Sequence, residues 1–212
     1  MNTKKYFILL FISLMTITCQ SKNQVYTIET SLGNIKIKLY EDTPLHKANF
    51  EKLVEEQAYD SVLFHRIIEE FMIQTGDLRT KNNNADYVEG ETIPAEFVRT
   101  NIHKKGAIAA ARTGDHVNPE KRSSPTQFYI VHGKTYAEES LSQIEERFGR
   151  FYSPEEKTIY NTVGGTPFLD NEYTVFGEVV EGLDVVDKIA ALPTGASDFP
   201  ISDIRIIKIY KD

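Results

Sequence analysis

Arg66, Phe71, Met72 and Gln74 stand close together in the stretch Phe64-His65-Arg66-Ile67-Ile68-Glu69-Glu70-Phe71-Met72-Ile73-Gln74-Thr75-Gly76-Asp77. Its apolar residues are of strand type, but they are interrupted by polar side chains that a core strand does not need, and the stretch therefore reads as the wall of an active site. A blander reading keeps Phe64, Ile67 and Ile73 as core and leaves Arg66 as a surface charge, the usual place for a single arginine. What separates the two readings is the pattern that Arg66, Phe71, Met72 and Gln74 make together with later segments of the chain. Other chemistries lack their residues. His46, His103, His116 and His132 have no metal-ligand spacing, and His65 falls on the strand face opposite Arg66, where a buried structural role suits it better than that of a base. No nucleophile elbow is present, the single Cys19 has no partner for a redox pair, and no glycine-rich loop joins a strand to a helix. Neither a cofactor nor a metal is expected.

The order His-Arg, two aliphatics, a two-residue break, Phe-Met and Gln-x-Gly-Asp resembles the signature of the cyclophilin-type peptidyl-prolyl isomerases. Two later segments resemble further signatures of that family. In 125–131 a Thr126-Gln127 pair precedes Phe128 and Tyr129, with Thr126 in place of the family serine and Tyr129 in place of a second phenylalanine. Strand alternation sends Phe128 and Tyr129 to opposite sides, and Tyr129 is assigned to the pocket. In 168–179, Phe168 stands where many eukaryotic members have tryptophan and Tyr173 where they have histidine, a pattern that resembles bacterial relatives. The missing indole donor argues against strong binding of cyclosporin, the family's macrocyclic inhibitor.

The resemblance implies a catalytic Arg66 with Gln74 beside it, and substrate contacts from Phe71, Met72, Ala111, Arg112, Tyr129, Phe168, Leu169 and Tyr173. Ala111 and Arg112 occupy the places where a family strand edge meets the substrate backbone. The activity implied is cis–trans isomerisation of X-Pro bonds, which needs no covalent step. The partners implied are proline-containing peptides and unfolded or exported proteins. A module that grips proline segments with little turnover is the alternative.

Around these residues, 25–30 and 35–40 form a hairpin whose second strand alternates Ile35, Ile37 and Leu39 with Lys36 and Lys38. Thr43-Pro44 predicts a helix start, with Thr43 as the cap and the helix reaching about Gln57. Its buried stripe is expected at Ala48, Phe50, Leu53 and Val54. A polar loop at 79–88, a small-residue strand at 106–112 and a loop at 114–125 follow. A helix over 182–192 ends at Pro193, and a last strand at 203–210 can pair back with the first hairpin. The resemblance implies a mainly β fold: a closed eight-stranded antiparallel barrel capped by two α-helices and spanning 25–212. An insertion at about 133–166 carries two helical patterns, the first with a Leu141, Ile144 and Phe148 stripe that either packs on the barrel or docks a partner.

The chain has 212 residues, 41% of them hydrophobic and 26% charged, which suits one globular domain. Its net charge of −7 argues against nucleic acid as a partner. Lys4-Lys5 and the apolar run from Tyr6 to Thr18 have the make-up of a secretory signal over 1–18, too short to span a bilayer comfortably. Cys19 sits where a bacterial lipoprotein carries its lipidated cysteine, with an ordinary cleaved signal or an uncleaved anchor as alternatives. Residues 19–24 then form a tether, and the expected location is the periplasm-facing bacterial envelope, held by the lipid anchor. A monomer is expected on family analogy.

Overall fold

The computed structural model describes residues 24–81 and 84–212. The expected signal at 1–18 and the lipidation site Cys19 lie outside them. Among the described residues no helix is long and apolar enough to cross a membrane.

Strand β1 (Val25–Thr30) turns through Ser31-Leu32 into β2 (Gly33–Leu39), with Thr30 opposite Gly33 and Val25 opposite Lys38. In β2, Ile35, Ile37 and Leu39 are buried while Lys36 and Lys38 face outward, the period of a strand with one wet face. The other strands are β3 (Arg66–Ile68), β4 (Met72–Thr75), β5 (Ala107–Ala110), β6 (Phe128–Val131), β7 (Val175–Glu181) and β8 (Ile206–Lys211). All eight lie in one antiparallel sheet in the order β3-β4-β6-β5-β7-β2-β1-β8. The sheet curls into a barrel whose two edge strands are not joined by a ladder. The chain just before β3 bridges the seam instead. Phe64 N–H donates to the Ile204 carbonyl at 2.9 Å, and Ile206 N–H donates to the Val62 carbonyl at 2.8 Å. "Closed" thus overstates a barrel that is curled and stitched.

Among the described residues four α-helices accompany the sheet: α1 (Pro44–Glu55), α2 (Glu138–Phe148), α3 (Pro154–Thr162) and α4 (Leu183–Ala190). The first and last bury Phe50, Leu53, Val54, Val185, Val186 and Ile189 in the barrel interior. The rings of Phe50, Tyr59, Phe128 and Phe176 meet there at centroid distances of 5.4 to 5.9 Å. Two details of α1 differ from expectation. Thr43 makes no side-chain cap; the Glu96 carboxylate accepts from the Leu45 and His46 amides at 3.0 Å, satisfying free N–H groups and opposing the positive end of the helix dipole. His46, not Ala48, completes the buried face, because its ring bonds Glu96 at 2.6 Å and Ser123 at 2.8 Å and so enters the interior satisfied.

The insertion carries α2 and α3. Ser153 and Glu156 form a reciprocal capping box around Pro154 at the start of α3. Leu141 packs with Ile102, Tyr152 and Tyr160 in a separate small core. Ile144 only borders it, and Phe148 is 45% exposed.

The strands under the site are buried on both faces. Ile73, Ile108, Phe128 and Ile130 point into the barrel, while Met72, Ala107, Ala109, Tyr129 and Val131 form a second apolar cluster on the outside. Alternation of the pleat therefore yields one wall with two apolar faces, and the site lies on the outer one.

Candidate active site

The outer cluster floors a cavity of about 270 Å³. Register puts its parts in a row: Arg66 on β3 pairs with Gln74 on β4, Gln74 with Tyr129 on β6, and Tyr129 with Ala109 on β5. Because these strands alternate, all four side chains share the outward face. Ala109 adds almost no bulk, which leaves room above the floor.

Phe71 sits at the β3–β4 corner. Glu70 adopts φ +60, and its N–H donates to His132 Nδ1 at 2.8 Å, while the Phe71 carbonyl accepts from the His132 and Gly133 amides. The corner is thereby pinned, with Phe71 at the cavity wall. At the other end of β4, Gly76 has φ +85 and passes so close to the next strand that a Cβ there would lie 2.2 Å from the Thr126 carbonyl oxygen. Only glycine suits both demands.

The polar rim is organised by bonds to groups outside the starting stretch. Arg66 Nε–H donates to Asp198 Oδ2 at 3.2 Å. Its terminal nitrogens have no acceptor among the described residues. Asp198 comes from a tight turn in which Ser197 and Asp198 both have positive φ, 59 and 60, and Phe199 N–H donates to the Ala196 carbonyl. Consecutive left-handed residues without glycine cost about 1–2 kcal/mol each. Gln74 Nε2–H donates to Gln127 Oε1 at 3.2 Å, and Gln127 Nε2–H donates to Glu89 at 2.8 Å. The side-chain oxygen of Gln74 has no hydrogen-bond partner among the described residues.

Arg112 has a different character from Arg66. Its side chain is 5% exposed and donates to the Glu172 carbonyl, the Glu172 carboxylate, the Thr113 carbonyl and Asp115. It stacks over the Tyr173 ring at 4.6 Å, and Tyr173 in turn meets Tyr129 edge-on at 5.9 Å. The guanidinium serves as a wall. Strand β5 is an interior strand, and the Ala111 amide and carbonyl bond Gln127 and Ser124. The expected substrate edge therefore narrows to Arg112, whose backbone has no hydrogen-bond partner among the described residues.

Under the floor lies a buried polar chain that the sequence did not suggest. Asp170 Oδ1 accepts from the His103 amide at 2.7 Å and from His103 Nδ1 at 2.8 Å, and Oδ2 accepts from the Tyr160 hydroxyl at 2.6 Å. The other ring nitrogen, Nε2, lies 3.0 Å from the Tyr129 hydroxyl, within hydrogen-bond reach. The chain fixes the Tyr129 ring under the cavity. Burial by itself raises the Asp170 carboxyl pKa, but His103, Arg150 and Tyr160 together outweigh it and hold it below the usual carboxylate range. Burial pushes the Tyr129 hydroxyl well above the ordinary phenol value, so it stays protonated.

Of the residues assigned from sequence, Arg66, Phe71, Met72, Gln74, Ala111, Arg112, Tyr129, Leu169 and Tyr173 meet at this cavity. Phe168 does not line it. The short 3-10 turn Pro167–Leu169 points successive side chains different ways, so Leu169 enters the cavity while Phe168 lies behind Phe71, stacked at 5.8 Å and 27°. His65, half-buried on the other face, has a pKa lowered by burial. Gln127, Asp198 and His103 were missed as site residues; of these only Gln127 carried a local signal, its place beside Phe128 and Tyr129.

The curled eight-stranded barrel with a lateral apolar cavity is the fold of the cyclophilins. A Cryptosporidium parvum cyclophilin-type peptidyl-prolyl cis-trans isomerase superposes with a TM-score of 0.66 at 22% identity, over 89% of this chain and 97% of that one. The cyclophilin AquaCyp293 from Hirschia baltica gives 0.63 at 20% identity, over 89% and 73%. Sequence takes the assignment from fold to family. Residues 25–211 match the family described as cyclophilin type peptidyl-prolyl cis-trans isomerase/CLD. A Staphylococcus saprophyticus protein provisionally named a peptidyl-prolyl cis-trans isomerase is 34% identical over 183 residues, 86% of this chain and 88% of its own length. The chain belongs to the cyclophilin-type peptidyl-prolyl cis-trans isomerases.

Proposed function

We propose that the chain isomerises X-Pro bonds in polypeptides seated across this cavity, with Arg66 as the catalytic donor. The observation that carries the reading is the convergence of the unpaired Arg66 terminal nitrogens and Gln74 on an apolar floor of Phe71, Met72, Tyr129 and Leu169. Rotation about an X-Pro bond is slow because it breaks amide resonance, a barrier of about 20 kcal/mol. The task is to hold the proline ring dry and to bind the twisted state better than either planar isomer. In the twisted state the proline nitrogen regains a lone pair, which a guanidinium N–H can meet and which the planar amide does not offer. Asp198 steadies Arg66 through Nε and leaves its terminal nitrogens for the substrate. A Cryptosporidium cyclophilin structure obtained in the presence of the dipeptide Ala-Pro supports proline-containing ligands for this fold. Acceleration of cis–trans exchange in a short proline peptide, read by NMR, tests the activity; no acceleration by folded protein sinks it.

The clients are unfolded or exported proteins in a bacterial envelope, and the chain works there as a lipid-anchored, periplasm-facing monomer. The support for this setting is the sequence pattern of Lys4-Lys5, the apolar run to Thr18 and Cys19. Cys19→Ser should move the protein from the membrane fraction to the soluble fraction. Retention on the membrane by that variant would remove the lipid anchor from the account.

A further inference from the structure

The geometry points to a second binding subsite, built by the insertion, that takes an apolar side chain of the same client at some distance from the proline; it rests on the isomerase reading of the neighbouring cavity. Phe71 and Phe168, stacked at 5.8 Å, form a partition. Phe71 faces the cavity with Arg66, and Phe168 faces a larger depression of about 450 Å³ whose other wall is α2. A chain lying across the first has only this aromatic ridge to cross to reach the second.

The wall is apolar at its base, with Ile144, Phe148 and Phe168, and polar at its rim, with Ser140, Gln143 and Arg147. Leu141, fully buried among Ile102, Tyr152 and Tyr160, and the buried Glu145, which accepts from the Tyr152 amide, anchor α2 from its inner face. Phe148 makes no such contribution and remains 45% exposed about two turns along the same helix. The Arg147 guanidinium lies 5.4 Å from the Phe148 ring and has no carboxylate partner among the described residues. An aromatic anchor beside an unpaired cation fits a client segment carrying an aromatic or large aliphatic residue next to an acidic one. The occupant is the client chain itself, because only the Phe71–Phe168 stack separates the depression from the cavity that the isomerase reading assigns to the proline.

The test uses the full chain and three fluorescent peptides: a short Ala-Ala-Pro-Phe peptide, and the same peptide extended through a Gly-Ser linker to Phe-Glu on its amino or its carboxyl side. One extension should lower KM by about tenfold with kcat unchanged, the scale set by burying one large side chain. Phe148→Ser and Arg147→Glu, both at exposed positions, should each erase that gain and leave turnover of the short peptide at the wild-type value. Equal KM for all three peptides, or a gain that survives both substitutions, overturns the subsite. Failure to accelerate even the short peptide counts against the isomerase reading alone. The subsite is then decided by fluorescence anisotropy of the same peptides, with tighter binding of one extended form, lost in the two variants, as the supporting result.

Discussion

Removing the Asp170 carboxylate should unfold the protein about 10 °C earlier and disturb the active site from below. Asp170 is 6% exposed and accepts from the His103 amide, the His103 ring and the Tyr160 hydroxyl, at 2.6 to 2.8 Å. Asp170→Ala leaves these donors buried without an acceptor, at about 1–3 kcal/mol each. Local relaxation lowers the simple sum, so about 3–5 kcal/mol is expected, a large part of the 5–15 kcal/mol typical of a domain. For a chain of this size each kcal/mol shifts Tm by about 2–4 °C. Asp170→Asn keeps one acceptor oxygen and should cost about half as much. The assay is urea unfolding followed by circular dichroism, with the midpoint falling and the slope unchanged. Turnover measured well below the new midpoint should also drop severalfold, because His103 no longer steadies the Tyr129 hydroxyl. An Asp170→Ala variant within 1 kcal/mol of wild type would refute the reasoning, since a buried and fully used acceptor cannot be removed so cheaply.

Gly76→Ala should destabilise by about 2–4 kcal/mol, checked by the same unfolding curve, since the added methyl meets the Thr126 carbonyl in a backbone conformation that disfavours side chains. Acidification should weaken the fold in a defined window. Burial holds the His46, His65 and His132 pKa values below that of a free imidazole, so the unfolded chain takes up protons first. Stability is therefore fully present above about pH 6.5 and is lost as pH falls through the lower folded-state values, which urea midpoints at graded pH will reveal. Asp198→Asn, which tolerates the positive φ, should reduce kcat/KM by up to about fivefold without lowering Tm, because the half-exposed ion pair is worth at most about 1 kcal/mol and acts by holding Arg66 still. Stopped-flow or NMR exchange with a short peptide measures it.

What was legible in the sequence follows sequence distance. Arg66, Phe71, Met72 and Gln74 share one short stretch and were tied together by their resemblance to the family signature, and the register across the β3–β4 corner sets Arg66 opposite Gln74. The split of Phe128 to the core and Tyr129 to the outer face follows from the same alternation. The rim was illegible because its partners are remote: Asp198 is 132 residues from Arg66, and His103 is 67 from Asp170. No local pattern announces such pairs. Thr43 failed as a cap for the same reason, since Glu96, 50 residues beyond His46, took the free amides. Phe168 was misplaced because a 3-10 turn sets neighbouring side chains about 120° apart, so Leu169 enters the cavity while Phe168 stacks behind Phe71.

The central claim is that Arg66 stabilises the twisted X-Pro bond. Cis–trans exchange of an Ala-Pro-Phe peptide, measured by NMR with wild type and Arg66→Ala side by side, tests it most directly. The account predicts rapid exchange with wild type and a fall of about a hundredfold or more in the folded variant. Full activity in Arg66→Ala, or wild-type binding without acceleration, would contradict it.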